Sequence, residues 1–286
     1  MERILFGDNQ FFGINHQSEE KSRAQAVKFK TNESVLRVLD HVKGGGVNTF
    51  MCTTHDRIWD ICDTARNEPD RFSGLSFYPC MPYAHKYANA LTELGTVGAL
   101  KKFMPDNLVG ALAKGGFAIA KRDFVAIMKL LVDAEMKMFK DLNTPVIFIQ
   151  NVVTDLLLGL GMDTFLYEFA TYIKKEFNAE PGFITMNMPK LVDKFDNLGL
   201  TGMTICSSIN KIGFRMPGGI EAYEKALKES DHNQIAMQVL AGGAVPPKEA
   251  FEYVCKLEGV DSILFGASTD AHISDSISTI RQFSNI

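Results

Sequence analysis

The sequence predicts a (β/α)8 barrel with a helical insertion after its third strand, and three observations carry that reading. Eight short apolar runs alternate with segments whose apolar residues recur at helical spacing, the pattern of parallel strands each returned by a helix. The length, 286 residues, lies where one barrel with an insertion is common, so the whole chain, 1–286, is read as a single domain. The last two runs, 234–240 and 261–265, are followed by glycines, Gly242-Gly243 and Gly266, just ahead of new helical faces.

The elements follow in order. Ile4-Leu5-Phe6 forms strand one and delivers Asp8, Asn9 and Gln10 to a rim, and 16–30 is polar enough to read as a surface loop. Asn32 with Glu33 opens a helix, Val35, Leu36, Leu39 and Val42 make its stripe, and Gly44-Gly45-Gly46 stops it. Strand two is 47–52, with His55-Asp56 beyond its end, and a helix through Trp59 and Cys62 leads to strand three at 74–78, broken by Pro79. The stretch of about 80–120 is far longer than an ordinary βα connection. Its leucines, valines and phenylalanines make it a helical insertion packed on the barrel, with a lid or a self-association surface as the alternatives.

A helical stripe over 123–140 leads to strand four at 145–149, ending in Gln150 and Asn151. The helix after it starts near Asp163. Strand five, 183–186, ends in Asn187, and Pro189 opens the next helix. Strand six, 202–206, exits through Ser207, Ser208, Asn210 and Lys211, with Arg215 shortly after. Strand seven precedes Gly242-Gly243 and a helix opened by Pro246-Pro247. Strand eight precedes Gly266-Ala267-Ser268 and a helix marked by Ile273, Ile277 and Ile280.

Composition excludes several classes. A formal charge of -4 with lysines and arginines scattered among acids leaves no basic footprint for nucleic acid. Five cysteines without CxxC or CxxH spacing argue against a disulfide framework or a structural zinc site and suit a reducing cytoplasm. No apolar run is long enough to span a membrane, and no basic-then-apolar leader precedes strand one. The expectation is a soluble, unprocessed, cytoplasmic protein. His16, His85, Asp8 and His55 have no recognised metal-ligand spacing, and no metal is expected.

Several of these segments resemble the aldo-keto reductase barrel. The run from Ser34-Val35-Leu36 to Gly46-Val47-Asn48-Thr49-Phe50 is similar to that family's approach to the end of strand two. Thr185-Met186-Asn187-Met188-Pro189 is similar to its fifth strand end, Val239-Leu240-Ala241-Gly242-Gly243 to its seventh exit, and Ile263-Leu264-Phe265-Gly266-Ala267-Ser268 to its eighth. The resemblance implies NADP as a cofactor and a ribose-phosphate site at the last of these loops. It also implies an Asp, Tyr, Lys and His tetrad, for which this sequence has Met51, Asp56 or His55, Pro79 or Cys80, and Gln150. Ordinary carbonyl reduction therefore needs another proton donor, His55 or Tyr78.

Chemistry in such barrels sits at the carboxyl ends of the strands. The candidate catalytic residues there are Asp8, His55, Asp56, Tyr78 and Lys211. The candidate cofactor-binding residues are Asn187, Gly242, Gly243, Gly266 and Ser268, the glycines because backbone amides ahead of a helix can meet a phosphate. Cys52 and Cys80 end neighbouring strands and read as buried fillers. The leading expectation is a small-molecule enzyme binding a phosphate-bearing ligand, with NADP-linked redox chemistry as its form. Two others stay open: a lyase or aldolase acting on a phosphorylated carbonyl compound with Lys211 as a Schiff-base amine, and a non-catalytic barrel whose apolar insertion is a surface for a partner or for self-association into a homo-oligomer.

Overall fold

The computed structural model describes residues 1–13, 19–82 and 124–284. Eight parallel strands close into a barrel in sequence order, β1 (Ile4–Gly7), β2 (Thr49–Thr53), β3 (Ser76–Met81), β4 (Val146–Ile149), β5 (Glu180–Thr185), β6 (Thr204–Ser208), β7 (Asn233–Met237) and β8 (Ser262–Phe265). Closure is the pairing of β1 with β8, Ile4 opposite Ile263 and Phe6 opposite Phe265. The helices among the described residues are α1 (Glu19–Lys28), α2 (Asn32–Gly44), α3 (Asp56–Asn67), α4 (Phe124–Met136), α5 (Asn151–Leu160), α6 (Asp163–Phe177), α7 (Met188–Leu198), α8 (Gly219–Glu229), α9 (Pro247–Lys256) and α10 (Asp270–Ser284). The insertion expected at about 80–120 lies, beyond Pro82, outside the described residues, as do His16 and His85.

Strand alternation sorts the apolar side chains into two cores. Leu5, Met51, Tyr78, Cys80, Val146, Phe148, Cys206 and Ile235 fill the inside of the barrel. Their neighbours along each strand, among them Phe6, Phe50, Phe77, Ile147, Phe183 and Ile263, point outward into the core shared with the helices. In α2 the expected stripe of Val35, Leu36, Leu39 and Val42 is the buried face. Its cap is Thr31, one residue before the expected start, whose hydroxyl accepts from the Ser34 amide.

Four elements differ from the sequence expectation. The polar stretch 16–30 contains α1, a helix with an Arg23–Glu19 pair one turn apart and almost no buried face, so it carries no apolar stripe to read. The chain is anchored just after it by fully buried Phe29, set edge-on to Phe11 at 5.0 Å. β3 does not break at Pro79. Pro79 stays in register with Cys52, and the strand runs on to Met81. An extra helix, α5, follows β4 directly. β5 begins earlier, at Glu180, where Gly182 lets the Phe148 ring through: a Cβ at 182 would lie 2.4 Å from a ring carbon.

Candidate active site

The carboxyl rim of β1 and β2 holds the candidate with the most unusual environment. Asp8 is 5% exposed, and its Oδ2 accepts from the Thr53 amide and the Thr53 hydroxyl, both at 2.7 Å. Burial pushes the carboxyl up from 3.8 to about 6, and the bonds from Thr53 oppose that rise without cancelling it. The charge is felt by the thiols of Cys52 and Cys80, both raised by burial first and by Asp8 among the smaller causes. These cysteines are protonated fillers rather than nucleophiles.

The other catalytic candidates are placed differently. His55 caps α3: its Nδ1 accepts from the Arg57 amide at 3.0 Å, and its ring lies 4.3 Å from that of Phe12. That bond puts the neutral ring's proton on Nε2, so His55 can donate from there but cannot serve as a base. Asp56 is exposed in the first turn of the same helix. Tyr78 lies below the rim, opposite Met51, because β3 continues three residues past it. Burial pushes its hydroxyl up to about 12, with the charge of Glu2, at the opposite end of the barrel, as the smaller cause. Its expected place at a strand end is therefore corrected, and Cys80 is the later inward residue of that strand. Lys211 is exposed and paired with Glu249 at 2.5 Å, not desolvated as a Schiff-base amine would be.

The exits of β1, β7 and β8 enclose a cavity of about 320 Å3, and Gly242, Gly243 and Gly266 all line it. All three therefore sit at one rim. Their surroundings show why they are glycines. Gln238, Ala241, Gly242 and Gly243 have φ of 53°, 49°, 67° and 85°, a left-handed turn that ends β7 three residues before Leu240. A Cβ on Gly266 would lie 2.5 Å from Gln10 Oε1, whose carboxamide nitrogen donates to the Gly7 carbonyl at 2.6 Å. Ser208 donates to Gln238 Oε1 at 2.8 Å, holding that side chain between β6 and the cavity. Phe214 is set on the wall by buried Asn210, which both donates to and accepts from its backbone, and exposed Arg215 lies over the Phe214 ring at 5.2 Å.

Asn187 and Ser268 do not line the cavity. Asn187 precedes α7, its amide donating to Thr185 Oγ1, while Asp155 accepts from that same hydroxyl at 2.6 Å and from the Met186 amide at 3.0 Å. The Ser268 carbonyl accepts from Lys28 of α1. Sequence reasoning missed Gln25, Gln238 and Phe214 as wall residues. Gln25 sits on the helix read as a loop, and the turn at Gln238 has no glycine to mark it.

Among the described residues, Asp196, Asp231 and His232 gather at the opposite, amino end of the barrel. His232 Nδ1 accepts from the Met203 amide, which leaves the neutral ring's proton on Nε2, the atom facing Asp196 at 3.9 Å. No nitrogen lone pair is thereby offered to a cation. No helix among the described residues is long and apolar enough to cross a membrane.

No protein-family model matches the sequence, and no curated protein does. Solved structures match in shape. A Pseudomonas aeruginosa protein assigned to the aldo-keto reductases superposes with a TM-score of 0.62 at 11% identity, over 99% of this chain and 90% of its own. An aldo-keto reductase from Bacillus halodurans, solved in its holo form, gives 0.57 at 11% identity, covering 89% and 86%. One from Brucella melitensis gives 0.52 at 9%, covering 100% and 94%. This chain has the aldo-keto reductase fold. At such identities the likeness is one of fold.

The aldo-keto reductase resemblance implies NADP, and the cavity walls can be tested against it. None of the described residues lining the cavity carries a charge. The Gly243 and Val245 amides both donate to the Leu240 carbonyl, so the turn uses its own donors. Thr269 caps the start of α10, and Asp270 stands in its first turn. These walls do not fit a phosphate group.

Proposed function

We propose that this chain is a small-molecule oxidoreductase working at the carboxyl mouth of its barrel, with Asp8 exchanging a proton with the substrate. The reading is supported by the fold and carried by one observation: a rim carboxyl that is buried and held by two donors of Thr53, where burial pushes its pKa up to about 6. Reduction of a carbonyl takes a hydride at carbon, which a diffusible hydride donor would bring, and a proton at oxygen, and a proton donor serves best when its pKa lies near the working pH. Tyr78 at about 12 and below the rim, and His55 committed as a cap, are less suited. When Asp8 has given up its proton, the two Thr53 donors hold the carboxylate that remains.

The described walls of the cavity offer no counter-charge to NADP or to a phosphate on the ligand. The test is a panel of small aldehydes and ketones with a phosphate-free hydride donor, N-benzyl-1,4-dihydronicotinamide, as the probe reductant, followed by its absorbance. We expect turnover that falls as pH rises through about 6, and a loss on the order of 10²–10⁴ in kcat for Asp8→Asn. Absence of turnover with every carbonyl compound, or an unchanged Asp8→Asn rate, removes the proposal.

A further inference from the structure

We propose that α1 is a hinged strap over the cavity between the β1, β7 and β8 exits, turning about a neck held by Arg57 and latched by Lys28, so that its opening sets access to the cavity. The proposal stands apart from the role of Asp8, which does not line this cavity.

The neck is the first ground. Phe11 and Phe29, which flank α1 in the sequence, are both buried and meet edge to face at 5.0 Å. One guanidinium ties the same two points together: Arg57, in the first turn of α3, donates to the carbonyls of Phe11, Phe29 and Lys30. The chain on either side of α1 is thereby fixed at one place, as in a loop whose ends are held close.

The second ground is how little holds the helix itself. Ser22 and Gln25 are half-buried, Val27 is 76% exposed, and the other described side chains of α1 are exposed as well. A helix of 10 residues is marginal in water unless it buries an apolar face. Its docking uses the backbone of Gly13, where a Cβ would lie 2.8 Å from the Ser22 carbonyl oxygen, and the exposed Lys28, which donates to the Ser268 carbonyl. That last bond reaches the turn after β8, two residues beyond Gly266 on the cavity wall.

The third ground is Gln25, the wall residue that α1 supplies. Its Oε1 is shut away from solvent and accepts no hydrogen bond among the described residues. Water reaches that oxygen once the helix lifts, so the closed state carries a cost that the open state does not. Few buried contacts and one exposed latch place α1 with segments that open locally while the rest of the molecule stays folded.

Thiol accessibility tests the proposal. Gln10 is 4% exposed, lines the cavity and sits on the turn against which α1 packs. In Gln10→Cys the new thiol should meet N-ethylmaleimide only while α1 is open, with labelling at position 10 followed by mass spectrometry. Adding Lys28→Met should speed that labelling about three- to tenfold, the equivalent of one hydrogen bond, and leave the rate at half-buried Cys255 unchanged. Hydrogen exchange needs no cavity variant. In the parent chain the amides of α1 should exchange about tenfold or more faster than those of α2, and Lys28→Met should speed α1 alone. Labelling indifferent to Lys28→Met, α1 amides as slow as those of α2, or a variant that speeds both helices alike would each overturn the strap. Neither readout uses turnover, so this proposal and the catalytic one fail separately.

Discussion

Asp8 and His232 are buried alike, 5% and 4% exposed, at opposite ends of the barrel, and the same loss of water moves them in opposite directions. Burial disfavours whichever form carries charge, so the Asp8 carboxyl rises to about 6 while the His232 imidazole falls below its usual 6.5. Their neighbours differ. Asp8 is held by donors that suit a carboxylate, whereas His232 Nδ1 accepts from a backbone amide that only a neutral ring can meet. Asp231 and Asp196 pull the histidine back toward charge without overcoming burial. The amino end keeps its titratable group neutral and tied to the strands. The carboxyl end keeps one close to its midpoint, which is the division between stability and function expected of this architecture.

The largest break in that comparison is Asp8→Asn. Beyond the loss of turnover, its stability effect has a defined sign. The folded pKa lies above 3.8, so the stability Asp8 contributes is complete below 3.8 and lost as pH rises through about 6. A shift of this size corresponds to about 3 kcal/mol of burden from the ionised carboxyl at pH 8. The asparagine oxygen can still accept both Thr53 bonds, so thermal melts should show the variant several degrees more stable at pH 8 and little changed at pH 4. A variant less stable at pH 8 would mean that the carboxylate is a structural member of the rim.

Two glycines sharpen the contrast between interior and mouth. At Gly182 an added Cβ meets the ring of Phe148, a fully buried member of the inner core with nowhere to turn. Gly182→Ala should cost about 1–3 kcal/mol in urea denaturation. At Gly266 the obstacle is the tip of Gln10, a long side chain beside the cavity, held by its bond to the Gly7 carbonyl. Gly266→Ala should cost about 1 kcal/mol or less, the value of one displaced hydrogen bond. Equal costs at the two positions would show the mouth to be as rigid as the core.

His232→Gln probes the other end. The folded pKa is depressed, so the contribution is present above 6.5 and lost as pH falls below it, when the unfolded ring takes a proton that the folded ring resists. The parent should lose stability relative to His232→Gln between pH 7.5 and 5.5, read by denaturant midpoints, while Asp8 works in the opposite sense below 6. A parent and variant with parallel profiles would mean that His232 is protonated in place.

These sites differ in how far they could be read from sequence. The eight strands and stripes such as Val35, Leu36, Leu39 and Val42 were legible because burial on one face leaves a period in the residues. α1 was not, since it buries almost nothing, and the run of β3 through Pro79 was not, since the closed ring holds a proline that local rules would reject. That one miss moved Tyr78 from rim to interior. Gly242, Gly243 and Gly266 line one cavity at the carboxyl rim, but a phosphate role needs free amides and a nearby cation, and the left-handed turn spends the Gly243 amide on Leu240 while no described residue of the lining is charged. Asp8 was visible as a strand-end acid. Its pKa was not, because Thr53 lies 45 residues away.

Lys211 should give the smallest effect. Its ion pair with Glu249 is exposed on both sides, at 46% and 48%, where the attraction is screened and the side chains give up rotamer freedom to form it. Lys211→Ala should therefore change stability by less than about 1 kcal/mol and leave turnover untouched. An amine in that setting is solvated and held by a carboxylate, not placed in the apolar surroundings that a Schiff-base lysine needs. Borohydride added with candidate carbonyl substrates should leave the mass of the protein unchanged. A substrate-sized adduct at Lys211 would reverse the comparison, placing chemistry on the outer rim of β6 instead of at the buried carboxyl of β1.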